Sequence, residues 1–391
     1  MCDMVQSPTL LTIIGARPQF VKSKILSLAY KRAGIKEIIY HTMQHYDDAM
    51  SGAILRELAI YPINKPNHQR ESSAQPNRLM RFMKMTQEIK AAIAMYQPDF
   101  VVVFGDTDST LSGAYAAHLC GVRLVHIEAG LRSFNTAMPE EYNRILTDRF
   151  SSLLCAPTEI AYKQLLAESS AQESVFMPCA RFLFSGDVML DASLYFASLA
   201  KKPTLQILAT NGFFPIQGDF DTSKDFIIAT LHRNTNTDDR ARLQEIMGAL
   251  GEISMRMPIL FPLHPRTKNA LLQLAPQQTQ TLLKNIVFCA PLSYLEMSFC
   301  LQRARVVLSD SGGIQKETCF LGKPHITLRQ ESEYAELDSY LAINREEILA
   351  AFMNALTLQE QNLKKIHTLF GDGLACERIV QAIISLHKEC A

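Results

Sequence analysis

The chain has no net charge to spare: 39 Lys and Arg offset 39 Asp and Glu over 391 residues. That balance argues against a nucleic-acid coat and against a polybasic membrane anchor, while leaving room for a local basic pocket that holds an anionic small ligand. A paired-cysteine pattern is also missing. The nine cysteines, at 2, 120, 155, 179, 289, 300, 319, 376 and 390, are odd in number and none is spaced C-x-x-C. This excludes a disulfide framework and a zinc ribbon, fits a reducing compartment, and leaves most cysteines as small core hydrophobes. No apolar run approaches the roughly 18 residues of a membrane span, and the opening MCDMVQSPTLLTIIG lacks the basic n-region of a signal peptide. The expectation is a soluble cytoplasmic protein with neither a membrane nor a nucleic acid as partner. Neither G-x-G-x-x-G nor G-x-x-x-x-G-K-[ST] occurs, so a nicotinamide or flavin site and a P-loop lack their sequence basis.

What is present is an alternation. Short apolar runs (Leu10–Ile14, Phe100–Phe104, Arg123–Ile127, Ser152–Cys155) lie between stretches with helical spacing (Phe20–Ala33, Arg78–Met95, Ser109–Leu119, Glu140–Phe150). Strands apolar on both faces, alternating with helices, predict a parallel sheet covered on both sides. The pattern returns with strands at Asp225–Leu231, Pro258–Leu263, Asn285–Cys289, Val306–Ser309 and His325–Leu328, and helices at Asp239–Met255, Tyr294–Arg303, Ile314–Leu321 and Glu346–Leu356. Lys201–Lys224 is less periodic and is the candidate linker, and Ala375–Lys388 reads as a terminal helix. The fold class is α/β with two Rossmann-like, doubly wound domains. The cleft between them is the default ligand site.

Chemistry concentrates at strand ends. Gly15-Ala16-Arg17-Pro18 follows the first strand: glycine permits close approach, a helix start offers N–H groups, and Arg17 can fork to phosphate. An ordinary turn with a surface arginine is the alternative. Asp106 and Asp108 follow the strand at 101–104. Asp106 is an acid, base or ligand-orienting acceptor, or else a helix cap; for Asp108 the cap is favoured. Glu128 ends the next strand, and Pro139-Glu140-Glu141 opens a helix, where first-turn acids also suit the dipole. Asp106, Glu128 and Glu140 thus share one sheet edge, where mutual repulsion should raise at least one pKa, as acid–base chemistry requires. His126-x-Glu128 lacks the downstream P-C-x-x-C of a zinc deaminase. Later strands end in His232-Arg233 and His264-Pro265-Arg266, two His/Arg pairs that point to an anion, with His232 able to move protons near neutral pH. Asp310-Ser311-Gly312-Gly313 runs from a strand into a helix as a phosphate seat, with Glu317 one turn inside and placed to accept ribose hydroxyls.

Taken together these segments resemble the non-hydrolysing UDP-N-acetylglucosamine 2-epimerase family over nearly the whole chain. The matching segments are GARPQFVK (15–22), MQHYDD (43–48), GDTDST (105–110), HIEAGLRSF (126–134), MPEEYNRILTD (138–148), GDVMLD (186–191), ATLHR (229–233), PLHPRT (262–267) and DSGGIQKE (310–317). The resemblance implies a GT-B-like fold. Residues 1–185 would carry the catalytic acids and 186–372 would bind UDP, with the last helix, about 373–391, packing back on the first domain. It implies a homodimer acting on a UDP-sugar without metal or cofactor. The implied reaction removes the carbon 2 proton, expels UDP anti to give a 2-acetamidoglucal, and re-adds UDP with a proton on the other face. By motif position, Asp106, Glu128, Glu140 and His232 match the catalytic set, and Arg17, Gln44, Ser311, Gly312, Gly313 and Glu317 match the UDP set.

The chain also departs from the family pattern. Met43 replaces a glycine, Thr235 replaces an acid, Met297 replaces the aromatic that stacks on uracil, a Gly-rich loop is absent near Ser73–Asn77, and the stretch after Glu336 is short. Four readings follow: a UDP-N-acetylglucosamine epimerase, the same reaction on UDP-2,3-diacetamido-2,3-dideoxyglucuronate, a nucleotide-sugar-binding protein without activity, and a GT-B glycosyltransferase. The first is the leading one.

Overall fold

The computed structural model describes residues 7–44, 51–64, 77–170, 176–177, 179–205, 220–274, 285–330, 337, 339–357 and 363–389. By its contacts the chain divides into two units, Met1–Ala192 with His367–Ala391, and Ser193–Ile366. The sequence sets the first division at 185/186; the contacts set it seven residues later. Most of the expected linker falls outside the described residues.

The first unit is built on a six-stranded, all-parallel sheet in the order β2-β1-β3-β4-β5-β6. The strands are β1 (Thr9–Ile14), β2 (Lys36–His41), β3 (Phe100–Phe104), β4 (Arg123–Ile127), β5 (Leu153–Ala156) and β6 (Arg181–Phe184). Every residue of β3 and β5 is buried, as strands covered on both faces must be. The covering helices are α1 (Arg17–Arg32), α2 (Ala53–Glu57), α3 (Arg78–Tyr96), α4 (Asp108–Leu119), α5 (Pro139–Phe150) and α6 (Glu159–Ser169). Leu11, Ile13, Val101 and Val103 meet Ile89, Ile93, Ala114 and Ala117 of α3 and α4 in one apolar layer. Helix starts follow local chemistry: Pro18 near the start of α1, Pro139 at α5, and Asn77 capping α3 by accepting from Met80 N–H at 2.9 Å.

α7 (Val188–Ser198) carries the chain into the second unit. Its parallel sheet has the order β12-β11-β10-β7-β8-β9, from β7 (Ile227–Thr230), β8 (Ile259–Pro262), β9 (Ile286–Cys289), β10 (Val306–Ser309), β11 (His325–Thr327) and β12 (Ser339–Leu341). Helices α8 (Asn234–Thr237), α9 (Arg240–Ser254), α10 (Pro265–Leu272), α11 (Tyr294–Arg303), α12 (Gly312–Phe320) and α13 (Arg345–Thr357) accompany it. Met297 lies on α11 with its side chain in the buried cluster that includes Val287, Cys300 and Val307. It is a core residue here, not a surface platform. α14 (Leu363–Phe370) leads back, and α15 (Ala375–Lys388) packs on α1, with Arg32 and Glu377 paired at 3.0 Å. Asp191 accepts from the first amides of α15, Ala375 at 3.2 Å and Cys376 at 2.8 Å, and so caps it.

Of the seven described cysteines, all free, Cys155, Cys289, Cys300, Cys319 and Cys376 are buried, which is the core role expected of them. No helix among the described residues is long and apolar enough to cross a membrane.

Candidate active site

The strand order of the first sheet reverses between β1 and β3, and open α/β sheets take ligands outside the strand carboxyl ends at such a point. A Cβ on Gly15, just after β1, would overlap the hydroxyls of Ser109 and Thr42, so only glycine lets this turn lie against α4. Buried Gln19 ties the two turns together. Its Oε1 accepts from Gly15 N–H (2.7 Å) and Ala16 N–H (3.0 Å), and its Nε2 donates to the Phe104 carbonyl (2.9 Å) and to the Thr107 and Thr110 hydroxyls (both 3.1 Å). Gln44 Oε1 accepts from Ser109 N–H at 2.7 Å and from its hydroxyl at 2.5 Å. Arg17 stands exposed at the first position of α1.

The acids sit on the same edge. Gly105 has φ +63°, a conformation that lets the chain turn immediately after β3 and present Asp106. Asp106 pairs with Arg144 of α5, which also reaches Glu141 at 3.2 Å. Burial pushes the Asp106 carboxyl above its ordinary pKa. The Arg144 charge opposes this, Glu128 and Glu140 reinforce it, and Lys22 opposes it.

Glu128 has φ +71° and is held there because its own N–H and that of Ala129 both donate to the Cys155 carbonyl, at 3.1 and 3.0 Å. Its carboxylate lies beside Gly105, where a Cβ would stand 3.3 Å from Oε2, and it pairs with Lys22 of α1. Both side chains of that pair are under a tenth exposed. Glu140 is exposed on the first turn of α5. Glu141 is buried and accepts from Ser133 N–H (2.9 Å), the Ser133 hydroxyl (2.7 Å) and Phe134 N–H (3.0 Å). Burial would raise its carboxyl, but these donors and Arg144 hold it below the ordinary value.

Asp108 departs from expectation. Thr107, extended in backbone, caps α4 by accepting from Thr110 N–H. Asp108 is already the first helical residue, and its carboxylate is taken by Arg78 of α3 (3.0 Å from Nε) and Asn143 (3.2 Å). Burial favours the protonated acid, yet these hydrogen bonds lower its pKa.

In the second sheet the reversal falls between β7 and β10, and the His232-Arg233 and Asp310-Ser311 segments flank it. Fully buried Asp310 organises the turn. It accepts from His232 N–H (3.1 Å), Arg233 N–H (2.9 Å) and Asn236 Nδ2 (3.0 Å), and pairs with His232 Nδ1 at 2.9 Å. Burial raises its carboxyl, but His232, Arg233 and Asn236 together bring it below the usual range. With Nδ1 directed at a carboxylate, Nε2 is the His232 nitrogen presented to a ligand.

His264 caps α10, its Nδ1 accepting from Arg266 N–H at 3.2 Å, and its ring lies 5.9 Å from that of His232. Burial, His232 and Arg266 all lower its pKa. Ser311 caps α12 by accepting from Ile314 N–H at 3.4 Å, so its hydroxyl serves the helix before any phosphate, although the O–H remains available to donate. Gly312 is buried, Gly313 exposed and Glu317 half-buried on that helix. Thr235 is exposed.

Asp106, Glu128 and Glu140 therefore share the first unit with Arg17 and Gln44, whereas His232, Arg233, His264, Ser311, Gly312, Gly313 and Glu317 lie in the second. Sequence reasoning missed Gln19, Lys22 and Arg144 as contributors, and named Asp310 within its motif without its role in holding the His232 turn. Lys22 had a signal: it lies three and four residues before buried Ile25 and Leu26, a cation on the inward face of a helix. Arg144 had another, three residues after Glu141. Among the described residues, no group of three or more His, Cys, Asp and Glu is arranged to hold a metal ion.

A family model described as UDP-N-acetylglucosamine 2-epimerase matches residues 29–384. Over 386 residues the chain is 39% identical to the UDP-2,3-diacetamido-2,3-dideoxy-D-glucuronate 2-epimerase of Pseudomonas aeruginosa, with 96% of this chain and 99% of that protein covered. It is 34% identical over 378 residues to the UDP-N-acetylglucosamine 2-epimerase of Methanocaldococcus jannaschii, covering 95% and 97%. The crystal structure of the Methanocaldococcus jannaschii UDP-GlcNAc 2-epimerase with UDP-GlcNAc and UDP superposes with a TM-score of 0.72 at 32% identity, covering 96% and 99%, which agrees with the expected GT-B-like α/β architecture.

Proposed function

The chain belongs to the UDP-N-acetylglucosamine 2-epimerase family, and from that premise we propose that it inverts carbon 2 of UDP-N-acetylglucosamine to give UDP-N-acetylmannosamine. The observation that carries the reading is the pair of acid-bearing turns at the ends of β3 and β4, each acid with its own cation: Asp106 with Arg144, Glu128 with Lys22. Epimerisation at an unactivated C–H needs one group to take a proton and another to return one. Glu128, ion-paired with buried Lys22, is the carboxylate that removes the carbon 2 proton. The C–H electrons form the carbon 1–carbon 2 double bond as the bond from carbon 1 to UDP breaks on the opposite side. UDP then re-adds to carbon 1 while Asp106, whose carboxyl is pushed up, delivers a proton to the other face of carbon 2. Glu140 adds negative charge at the same edge. Elimination and re-addition move a proton and UDP and transfer no hydride, so the steps balance without a nicotinamide.

UDP must be held while detached so that water does not intercept the intermediate. His232 Nε2, Arg233, His264 and the amide end of α12 with Ser311, Gly312 and Gly313 suit the diphosphate. Glu317 suits the ribose, and Arg17 and Gln44 complete the set. The working unit is a homodimer serving surface-polysaccharide precursor synthesis. A concrete test is Glu128→Gln: carbon 2 exchange should vanish while UDP binding stays within a few-fold of the parent. Unchanged turnover would remove Glu128 from the reaction.

A second reading keeps the chemistry and changes the sugar to UDP-2,3-diacetamido-2,3-dideoxyglucuronate. The 39% identity to the Pseudomonas aeruginosa enzyme favours it. A glucuronate carboxylate needs a cation near the sugar; at this edge Lys22 is paired with Glu128, Arg144 with Asp106 and Glu141, and Arg78 with Asp108, while Arg17 is exposed. Ratios of kcat/KM for the two UDP-sugars decide between them.

A further inference from the structure

We infer that His126 is a positioning residue that carries a proton on both ring nitrogens and thereby fixes both acid-bearing turns at once. His126 lies on β4, with its side chain fully excluded from solvent. Its Nε2 is 2.8 Å from the Gly105 carbonyl, and its Nδ1 is 2.6 Å from Asp148 Oδ1. A backbone carbonyl can only accept. An ionised carboxylate can only accept as well. A neutral ring would turn one lone pair against an oxygen at hydrogen-bond distance, in a place where no water replaces the lost bond. The cationic ring satisfies both.

Asp148 has two partners besides the ring that favour its ionised form. Its Oδ2 accepts from Gly130 N–H at 3.2 Å and pairs with Arg132 at 2.8 Å, and Arg132 in turn pairs with Glu168 at 2.8 Å. Burial raises the Asp148 carboxyl, but His126 and Arg132 outweigh it and hold it below the ordinary range. The charged groups facing the ring along this chain of contacts are Asp148, Arg132 and Glu168. On the remaining side the register neighbour of His126 is Leu154 of β5, which is apolar.

The geometric consequence concerns the reaction. The Gly105 carbonyl belongs to the peptide that joins Gly105 to Asp106, so Nε2–H sets the plane from which Asp106 projects. Through Asp148, the other nitrogen is linked to Gly130 N–H, two residues beyond Glu128. One buried ring thus sets the spacing of the two acids, and misplacement by about 1 Å can cost about 10²-fold in rate. This role rests on the assignment of Asp106 and Glu128 to proton transfer.

The test uses full-length enzyme labelled with 15N-histidine, with His126 identified by the signal lost in His126→Gln. Long-range 1H–15N correlation at the pH of the activity assay should show both His126 nitrogens protonated. Asp148→Asn, which keeps the volume and removes the charge, should convert the ring to a single tautomer. It should also lower kcat about 10²-fold, with KM within about threefold, and alter the pH profile of kcat. A neutral tautomer in the parent enzyme overturns the inference whatever the activity, and so does an Asp148→Asn enzyme of parental kcat. If that variant does not fold, the parental ring signal decides alone. Absence of carbon 2 exchange in the parent with both UDP-sugars would overturn the functional reading separately, because the ring signal does not depend on turnover.

Discussion

Replacing Lys22 by methionine removes the cation from a pair whose two side chains are 8% and 9% exposed, while keeping most of the chain volume. Glu128 would then lose its ammonium partner inside the first unit, or would take up a proton. Breaking a buried pair from one side costs about 3–5 kcal/mol, at least about a hundredfold in the unfolding equilibrium. Glu128→Gln alone leaves the ammonium unpaired and carries a comparable penalty. The double variant removes both charges and should cost less than either single change, giving a coupling of at least about 3 kcal/mol. The protein contains no tryptophan, so urea unfolding is best followed by far-UV circular dichroism. A Lys22→Met cost below about 1 kcal/mol, together with additive single effects, would refute the buried-pair reasoning and leave Lys22 as an ordinary partly solvated lysine.

Two further perturbations test other parts of the account. Glu37 accepts from the Thr12 hydroxyl at 2.5 Å, and burial raises its carboxyl above the usual 4.5, against the lowering effect of Ser27 and Thr12. The native state therefore binds this proton more tightly than the unfolded chain, and the wild type loses stability as pH rises from 4.5 through the native value. Glu37→Gln should match the parent at pH 4 and gain a thermal-stability advantage by pH 8; a pH-independent difference would contradict this. Met43 has φ +59°, where a family glycine is replaced. Met43→Val should destabilise by more than 1 kcal/mol and Met43→Gly should be near neutral, because relief of about 1–2 kcal/mol of strain is offset by glycine's entropy. Equal effects in denaturation would show that the turn relaxes.

Much of the architecture was legible because buried parallel strands leave an unambiguous mark. Phe100–Phe104, Arg123–Ile127, Val306–Ser309, Tyr294–Arg303 and Ala375–Lys388 have the same bounds in sequence and structure. β2 and β6 were not visible: KEIIYH begins with two charged residues, and every residue of RFLF is only partly buried, so neither reads as a continuous apolar run. The short helices α2 and α8 lack a periodic face long enough to register. At the site, the acids were legible because they end buried strands. Their partners were not, since Lys22 and Arg144 arrive from helices distant in sequence and no local pattern encodes that convergence. Asp108 was misassigned as a cap because sequence cannot distinguish the residue before a helix from its first turn, and Thr107 competes for the position one residue earlier.

The central claim is that this chain breaks and remakes the bond to the carbon 2 hydrogen of a UDP-sugar without net hydrolysis. Incubation with UDP-N-acetylglucosamine in deuterated buffer, followed by proton NMR of carbon 2, tests it most directly. The expected result is loss of the carbon 2 proton signal and growth of a manno-configured UDP-sugar deuterated at that position. Free UDP with N-acetylmannosamine as the main product, or binding without any exchange on this sugar or its diacetamido-glucuronate counterpart, would contradict it.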